Sequence, residues 1–427
     1  MIRVMLLLLG REAIQRRWGV LMASGLFWTA FGLFIFIDAL DGKTLIPPHV
    51  FGYFILPEAA VSLLAAAGSQ GTARRLRLVK GIALLATAFL IVSSYPGAYF
   101  TLAMVFGLGF LLDCTVRIAS AHIVRFPGWR TAMAGGIVEI ILAIATLQPW
   151  PTWYAGTVGC NVGAVMMLSG VAIIRIARRI RSLPPGASIS SLFSHSLLRP
   201  ALLEPLAQPE ARKGDMIIHV WTPTGTATTP LHQRAINRYI AAVDGSGVIS
   251  TGHAAMEMAP DLYISHYPGV EIDRSPGDFT RILRATADND VPGRFQPSYA
   301  EEAAGWCPST VQVVFKDFNA ERLRAFWASY RQDSTYNLTN RNCSSVVANA
   351  LDASLEGAFL GKRWPVLSVL GAITNPELWA AGLMRERAES MAWTPGLLLD
   401  YARAMSAVIE PPPSLWRRLV SRERKAA

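Results

Sequence analysis

The chain has 427 residues, of which 52% are hydrophobic and 16% are charged, with a mean hydropathy of +0.32. These proportions exclude an ordinary soluble protein and predict membrane-spanning segments. The net charge is +10. Because the arginines cluster at the ends of apolar segments, where they orient a membrane protein, the charge does not indicate nucleic-acid binding. The four cysteines form no metal-type or disulfide-type pattern, which favours a reducing compartment.

The first 180 residues contain six apolar segments, each near the roughly 20 residues needed to cross a bilayer. Fifteen basic residues lie in the loops on one side of these segments, and only Lys43 lies on the other. Basic loops stay cytoplasmic, so both termini and everything after the last segment are expected on the cytoplasmic face. The predicted spans cover residues 19–39, 48–68, 79–95, 97–117, 131–148 and 154–176.

The apolar segments also repeat, with a period of about 55 residues. Each unit has basic residues, a Gly/Ala-rich helix, a short loop containing proline and a second helix, as a comparison of residues 17–25 with 129–136 illustrates. Three helical hairpins with small residues for close packing resemble the HdeD family over residues 1–182. The resemblance implies a bacterial inner-membrane protein linked to acid stress.

Three acidic residues, Glu58, Asp113 and Glu139, fall at predicted membrane depth. Intramembrane carboxylates are often functional. The alternative is that each is protonated or faces water near an interface. The sequence favours this second interpretation, since no transport-type cluster of partner residues accompanies the acids.

The sequence predicts four regions: a six-helix transmembrane domain (1–182), a proline-containing linker (183–215), an α+β domain (216–360) and a helical extension with a basic tail (361–427). Thr394 and Pro395 mark the start of a helix in the extension. In the α+β domain we expect strands at 216–222, 248–258, 261–266 and 310–315, and helices at 230–243, 320–331 and 343–355.

Cys343 is the candidate nucleophile of the α+β domain. It follows Asn340 and Asn342, either of which can cap the helix that begins there. A cysteine at a helix N-terminus is favoured as thiolate, and its free backbone N–H can bind an oxyanion. His253, on a predicted strand, is the candidate general base.

Four further residues are expected around this pair. His266 lies 13 positions after His253 on the neighbouring strand, where it can orient the imidazole of His253. Tyr336, Asn337 and Asn342 precede the cysteine and are expected to line the oxyanion pocket.

The order of Gly252-His253, His266 and Asn342-Cys343 resembles the circularly permuted branch of the NlpC-type papain-like thiol hydrolases, which includes the lecithin:retinol acyltransferase-like enzymes. The similarity covers residues 216–356. It implies a circularly permuted papain-like fold, a thioester intermediate, and neither a metal nor a cofactor. It leaves peptide, amide and acyl-lipid substrates open.

Other interpretations of these residues remain. A lone cysteine on an amphipathic helix is usually a core residue, and Cys343 with both histidines is also a possible zinc site lacking a fourth ligand. We interpret Cys307 as structural and His219 as half-buried. The sequence therefore favours a membrane-anchored cysteine peptidase or amidase. The alternatives are a lipid acyl hydrolase or acyltransferase and a non-catalytic membrane stress protein.

Overall fold

A computed structural model describes most of the chain. The described residues are 2–40, 45–47, 49–67, 71–93, 97–148, 154–183, 187–189, 214–221, 242–243, 249–250, 252–270, 272, 279–359 and 375–411. The basic tail after residue 411 and most of the helix predicted at 230–243 lie outside them. The last two residues of that predicted helix, Ala242–Val243, form a short strand.

Eight helices make up the described part of the N-terminal half. The six predicted apolar segments coincide with six of these helices, α3 to α8, which we call the apolar bundle. Four of the six are long and apolar enough to cross a membrane, and a shorter apolar stretch, His49–Leu64, lies in α4. The helices are α1 (Ile2–Leu9), α2 (Arg11–Arg16), α3 (Trp18–Leu40), α4 (His49–Ala67), α5 (Gly71–Val92), α6 (Ala98–Val124), α7 (Trp129–Leu147) and α8 (Tyr154–Arg181).

Small residues set the packing of the apolar bundle. Gly32 of α3 and Gly163 of α8 lie against each other's backbone, so that a side chain on either would overlap the facing helix. Close backbone approach at glycine is the usual way in which membrane helices associate. The most extensive contacts join α3 with α8, α4 with α5 and α6 with α7. The helix pairs therefore form between different repeats, and not within one repeat as the hairpin pattern predicted.

Each of the three acidic residues predicted at membrane depth has a basic partner. Glu58 pairs with Lys80 at 2.8 Å. Arg117 lies 2.9 Å from Asp113 and 3.0 Å from Glu139. Pairing lowers the cost of placing such carboxylates in or near a bilayer.

An antiparallel sheet of five strands organises the second half, in the order β6-β5-β4-β1-β7. We call residues 214–411 the sheet domain. A second, two-stranded sheet pairs β2 with β3. The strands are β1 (Met216–Trp221), β2 (Ala242–Val243), β3 (Ile249–Ser250), β4 (His253–Met258), β5 (Leu262–Pro268), β6 (Gly293–Phe295) and β7 (Val311–Phe315). The predicted strand 248–258 is thus interrupted, at Gly252, whose φ of 70° is a conformation that favours glycine.

Helices cover both faces of the five-stranded sheet. The main hydrophobic core lies between one face and the helices α11, α12 and α14, and α12 is almost wholly buried. The smaller helix α10 brings Tyr299 against the other face. The helices are α9 (Phe279–Ile282), α10 (Tyr299–Gly305), α11 (Ala320–Tyr330), α12 (Cys343–Leu355), α13 (Pro376–Ser390) and α14 (Pro395–Ile409).

The first helix of the chain belongs to the core of the sheet domain. Val4 and Leu8 of α1 are buried in it. The backbone N–H groups of Gly357 and Phe359 donate to the carbonyls of Leu7 and Leu8, at 3.0 and 2.9 Å. The apolar run at the start of the chain is therefore a packed structural element.

Two more contacts join the sheet domain to the ends of bundle helices. Ala285 donates its N–H to the carbonyl of Val124, the last residue of α6, at 2.7 Å. Arg77, in the first half of α5, forms an ion pair with Glu377 of α13 at 3.3 Å. The sheet domain thus lies directly against one end of the bundle.

Candidate active site

The helix that begins with Cys343 has a complete N-terminal cap. The side chain of Asn342 accepts the N–H of Ser345, and the Ser345 hydroxyl accepts the N–H of Asn342, both at 2.8 Å. The amide group of Asn342 also donates to the carbonyls of Leu338 and Trp393, at 2.7 and 2.9 Å. Asn342, predicted as a pocket residue, therefore holds Cys343 at the first position of α12. The positive end of the helix dipole lies there.

The structure brings the side chain of His253 against the sulfur of Cys343. The imidazole lies within hydrogen-bonding reach of the sulfur, and so does the backbone N–H of Ala254. Burial alone would raise the pKa of the Cys343 thiol, but the charge and hydrogen bond of His253 lower it below its usual value. The pair therefore favours thiolate and imidazolium, the combination that makes a cysteine nucleophilic.

A buried carboxylate that the sequence analysis missed lies on the other side of the imidazole. Oε1 of Glu302, on α10, is 3.1 Å from Nε2 of His253. Burial would lower the pKa of His253, but Cys343 and Glu302 together raise it to about 9. The imidazole therefore remains protonated at neutral pH.

Two tyrosines hold Glu302 in its ionised form. Tyr263 donates its hydroxyl to Oε2 and Tyr267 donates to Oε1, both at 2.7 Å. Burial would raise the pKa of Glu302, but His253 and the two tyrosines lower it to about 2. A carboxylate with three hydrogen-bond donors is a rigid acceptor for the imidazole.

The ring of His253 is also fixed by packing. It stacks on Tyr267 with 4.0 Å between the ring centroids. The hydroxyl of Ser265 lies 2.9 Å from Nε2. Since Glu302 and Ser265 both lie at Nε2, Nδ1 is the nitrogen left for the sulfur. This arrangement defines the orientation of the imidazole.

His266 does not occupy the orienting position predicted for it. Ala255 lies opposite Ser265 in the β4–β5 ladder, so by alternation His253 and His266 belong to opposite faces of the sheet. Nδ1 of His266 bonds to the hydroxyl of Tyr330 at 3.0 Å, and Nε2 bonds to the carbonyl of Ser334 at 3.2 Å. Burial lowers the pKa of His266 to about 4. This histidine is a neutral member of the core, and Glu302 stands where it was expected.

The two other predicted pocket residues organise the loop before the cysteine. The amide of Asn337 donates to Asp290 at 2.8 Å, and its oxygen accepts the N–H of Thr339 at 3.1 Å. Tyr336 packs its ring edgewise on His266, with the centroids 5.0 Å apart. Asn337 is thus engaged with the loop. The prediction that it helps to bind an oxyanion has no support from these contacts.

Two residues that were not predicted to be catalytic lie beside the site. The carbonyl of Cys307 accepts the indole N–H of Trp221 at 2.8 Å. His219 is fully buried, and not half-buried as predicted, because Ser309 and Glu257 satisfy its two nitrogens at 3.0 and 3.2 Å. Within the described ranges, no group of three or more His, Cys, Asp or Glu side chains is placed to hold a metal ion.

A cleft that is open to solvent lies on the other side of the nucleophile helix. Its lining includes Ser345 and Asn349 of α12, together with Phe126, which follows α6. At about 100° per residue, Ser345 is about 200° around the helix from Cys343. The cleft therefore does not lead to the sulfur.

A sequence signal for Glu302 exists, but it is weak. Ser298 caps α10, and Glu301 and Glu302 both fall in its first turn, where acidic residues usually only complement the helix dipole. The spacing from Tyr299 to Glu302 puts both on one helix face, and Tyr299 packs on the sheet. That spacing could have singled out Glu302 over Glu301.

Comparisons with protein-family models, with curated proteins and with solved structures found no match to this chain. The resemblances to the HdeD and NlpC-type families therefore remain expectations from the sequence. The interpretation of the site depends on its own geometry.

Proposed function

We propose that this chain is a membrane-anchored cysteine hydrolase of amide bonds, of the peptidase or amidase type. The observation that carries the proposal is the buried series Glu302, His253 and Cys343, in which a carboxylate orients an imidazole that interacts with the sulfur of a cysteine. A nucleophile, a base and a group that orients the base are the parts required for covalent acyl transfer.

In the first half of the proposed reaction, the thiolate of Cys343 attacks the carbonyl carbon of an amide. The new carbon–sulfur bond displaces the carbonyl π electrons onto oxygen, where the first-turn N–H of α12 stabilises the negative charge. The tetrahedral intermediate collapses, the carbon–nitrogen bond breaks, and the imidazolium of His253 gives its proton to the leaving amine. A thioester and a neutral His253 result.

In the second half, neutral His253 removes a proton from water, and the resulting hydroxide attacks the thioester. The carbon–sulfur bond breaks, its electron pair returns to sulfur, and the thiolate–imidazolium pair is restored. Glu302 accepts a hydrogen bond from His253 throughout, so that it stabilises each imidazolium state without exchanging a proton itself. Ser265 and Tyr267 limit rotation of the ring.

We also propose that the anchor crosses the bacterial inner membrane six times, with the sheet domain cytoplasmic. The sheet domain contacts α1, the first half of α5 and the end of α6, so these points belong to one side of the bilayer. Two helices of the apolar bundle separate each point from the next: α3 and α4 lie between α1 and α5, and α5 and α6 lie between Arg77 and Val124. Since both points are on one side, either both helices of a pair cross the bilayer or neither does. Because α3 and α6 are apolar enough to cross, α4 and α5 are the return crossings. Photo-crosslinking from position 89 to lipid tests the crossing of α5.

A second candidate function, hydrolysis or transfer of a lipid acyl chain, is favoured by one observation. The loop before Cys343 is linked to the bundle, because Thr339 donates to the carbonyl of Leu283 at 2.9 Å and nearby Ala285 donates to Val124. A site attached this way to a membrane helix suits a substrate that resides in the bilayer. Comparing turnover of phospholipid vesicles with turnover of peptide and isopeptide amides separates the two candidates.

The main test is covalent labelling of the full-length protein in native membranes. An alkyne-tagged acyloxymethyl ketone is expected to label Cys343, and Cys343→Ala is expected to reduce labelling and amide hydrolysis at least a hundredfold, since removing a nucleophile removes the covalent route. Cys307→Ala is the matched control and is expected to keep the label. Full hydrolysis by Cys343→Ala would refute the proposed role of Cys343. No adduct at Cys343 across a panel of acyl electrophiles would refute the proposal and favour a non-catalytic stress protein.

A further inference from the structure

Helix α13 lies across the ends of two helices of the apolar bundle. It packs on α5 and α6, and on α1 and α14 of the sheet-domain core. Near the start of α13, Glu377 pairs with Arg77 of α5. In the second half of the helix, Glu386 is within electrostatic reach of Arg117 of α6. The helix therefore bridges the bundle at the level where the sheet domain begins.

The two sides of α13 differ in chemistry and burial. One side faces the sheet domain and is buried, with Leu378, Ala381 and Arg385 among its members. The other side exposes Trp379 and Leu383, which are 39% and 66% exposed. They are four residues apart, so they lie one above the other on one helix face. Large apolar side chains aligned in this way on a short helix indicate a surface that something covers.

The exposed side of α13 continues an apolar stripe of the bundle. On α5, Val79, Ile82 and Phe89 are 69%, 58% and 67% exposed, which is the exposure expected of side chains that face lipid. The ammonium group of Lys80 lies 5.1 Å from the ring centroid of Trp379. Tryptophan beside a basic residue at the end of an apolar helix is the pairing typical of the membrane–water interface.

We propose that α13 is a bilayer-contacting helix, whose Trp379 and Leu383 insert into the headgroup and acyl boundary of the leaflet next to the sheet domain. The partner is a phospholipid surface. Continuity with the exposed stripe of α5 and the cation over the tryptophan ring identify lipid as the occupant, because this same stripe has to be covered by lipid if α5 lies in a bilayer. The proposal does not depend on the enzymatic function.

Contact with the bilayer would restrict the nucleophile helix as well. Arg385, on the buried side of α13, forms an ion pair with Asp352 of α12, and Asp352 also accepts the hydroxyl of Tyr401 at 2.6 Å. Because α12 begins with Cys343, the helix that touches lipid and the helix that carries the sulfur are joined by a buried charge pair. Insertion of α13 into the leaflet thereby fixes the distance between Cys343 and the membrane surface.

Site-specific photo-crosslinking in native membranes tests this surface. The photoreactive residue p-benzoylphenylalanine replaces Leu383 in the full-length protein, and mass spectrometry identifies the adducts after irradiation. Position 89 is the lipid-facing reference. Val314, apolar and 38% exposed on β7 of the sheet domain, is the matched control. We expect phospholipid adducts at 383 and 89, at least tenfold above those at 314.

Adducts from 383 to protein only, no lipid adducts at 383, or lipid adducts at 383 no more frequent than at 314 would overturn the proposal. A second measurement does not depend on an unnatural residue. Lipids brominated near the headgroup quench the fluorescence of tryptophan at the interface. The fraction of the total tryptophan fluorescence that these lipids quench is therefore expected to be smaller in Trp379→Phe than in the parent protein. An unchanged quenched fraction in a variant that melts at the parent temperature would also overturn it.

Discussion

The two faces of the five-stranded sheet each bury a histidine, and the two histidines differ in protonation. His253 lies beside a carboxylate and a thiol, and its pKa is raised to about 9. His266 lies beside a hydroxyl and a carbonyl, and burial lowers its pKa to about 4. Both rings are almost wholly inaccessible to solvent. Burial is therefore not what distinguishes them.

The difference shows what a candidate catalytic histidine needs. Desolvation penalises the charged imidazole on both faces, and neutral partners do not compensate for it. On the face that α10 covers, the carboxylate of Glu302 lies directly against the imidazole, and its charge is maintained by Tyr263 and Tyr267. On the other face, the charge of Asp333 acts on His266 but is opposed by that of Arg341. The sheet thus separates a charged histidine suited to proton transfer from a neutral one suited to packing.

The largest expected effect distinguishes the two histidines directly. His253→Ala removes the imidazolium that stabilises the thiolate, and we expect acylation of Cys343 to fall about a thousandfold. His266→Gln is the matched control, and we expect acylation within about threefold of the parent rate. Its lost core hydrogen bonds should lower the free energy of unfolding by about 1–3 kcal/mol. Mass spectrometry of the labelled peptide gives the rate, and thermal melting gives the stability. Equal losses of acylation in both variants would contradict the assignment.

An intermediate effect is expected from Glu302→Gln. The carboxylate raises the pKa of His253, so its removal lowers that pKa, and the imidazolium stabilises the thiolate less. The pKa of Cys343 then rises toward its ordinary value, and alkylation by iodoacetamide at pH 6.5 should fall about tenfold, with the midpoint of the pH profile moved upward. Glu301→Gln, an exposed neighbour on the same helix turn, should leave the profile unchanged. A shift of the midpoint to lower pH would show that Glu302 does not act through the imidazole.

The smallest expected effect concerns the hydrogen bond from Tyr263 to the carboxylate of Glu302. Tyr263→Phe removes the hydrogen bond to Oε2 of Glu302, which does not face His253. We expect alkylation to change by about twofold, and the free energy of unfolding to fall by about 1.5–3 kcal/mol, the value of a hydrogen bond to a charged group. Chemical denaturation measures the free energy of unfolding, and the same iodoacetamide assay measures the rate of alkylation. A larger kinetic effect than that of Glu302→Gln would show that the tyrosine acts on the sulfur by another route.

Local signals in the sequence were sufficient for the nucleophile helix. The polar residues before Cys343 predicted an N-cap, and α12 begins and ends at the residues expected, Cys343 and Leu355. The start of the helix at Pro395 was predicted in the same way, and Thr394 caps it. A cap depends on residues within one turn of each other, so it is visible in a single sequence.

The partner of His253 could not be predicted in the same way. Whether His266 or Tyr267 shares a face with His253 depends on the register of the β4–β5 hairpin, and a shift by one residue exchanges the two. Glu302 comes from a helix 49 positions along the chain (253 to 302) that packs on the sheet only in the folded protein. Spacing alone does not contain that information.

The apolar bundle shows the same division between local and distant information. Runs of apolar residues predicted the helices to within a few residues for most of them, although α5 and α6 extend further toward the sheet domain. Which helices pair was not predictable from the repeat. The glycines that bring α3 against α8 are near opposite ends of the bundle sequence, and a glycine does not specify its partner.

The burial of α1 makes the two ends of the chain interdependent. Val4 and Leu8 fill places in a core whose other members are translated more than 200 residues later. A fragment starting after the linker would leave those places empty, so separating the sheet domain by truncation should yield a weakened fold. During synthesis, the initial helix can dock only after the strands and helices of the sheet domain have been made.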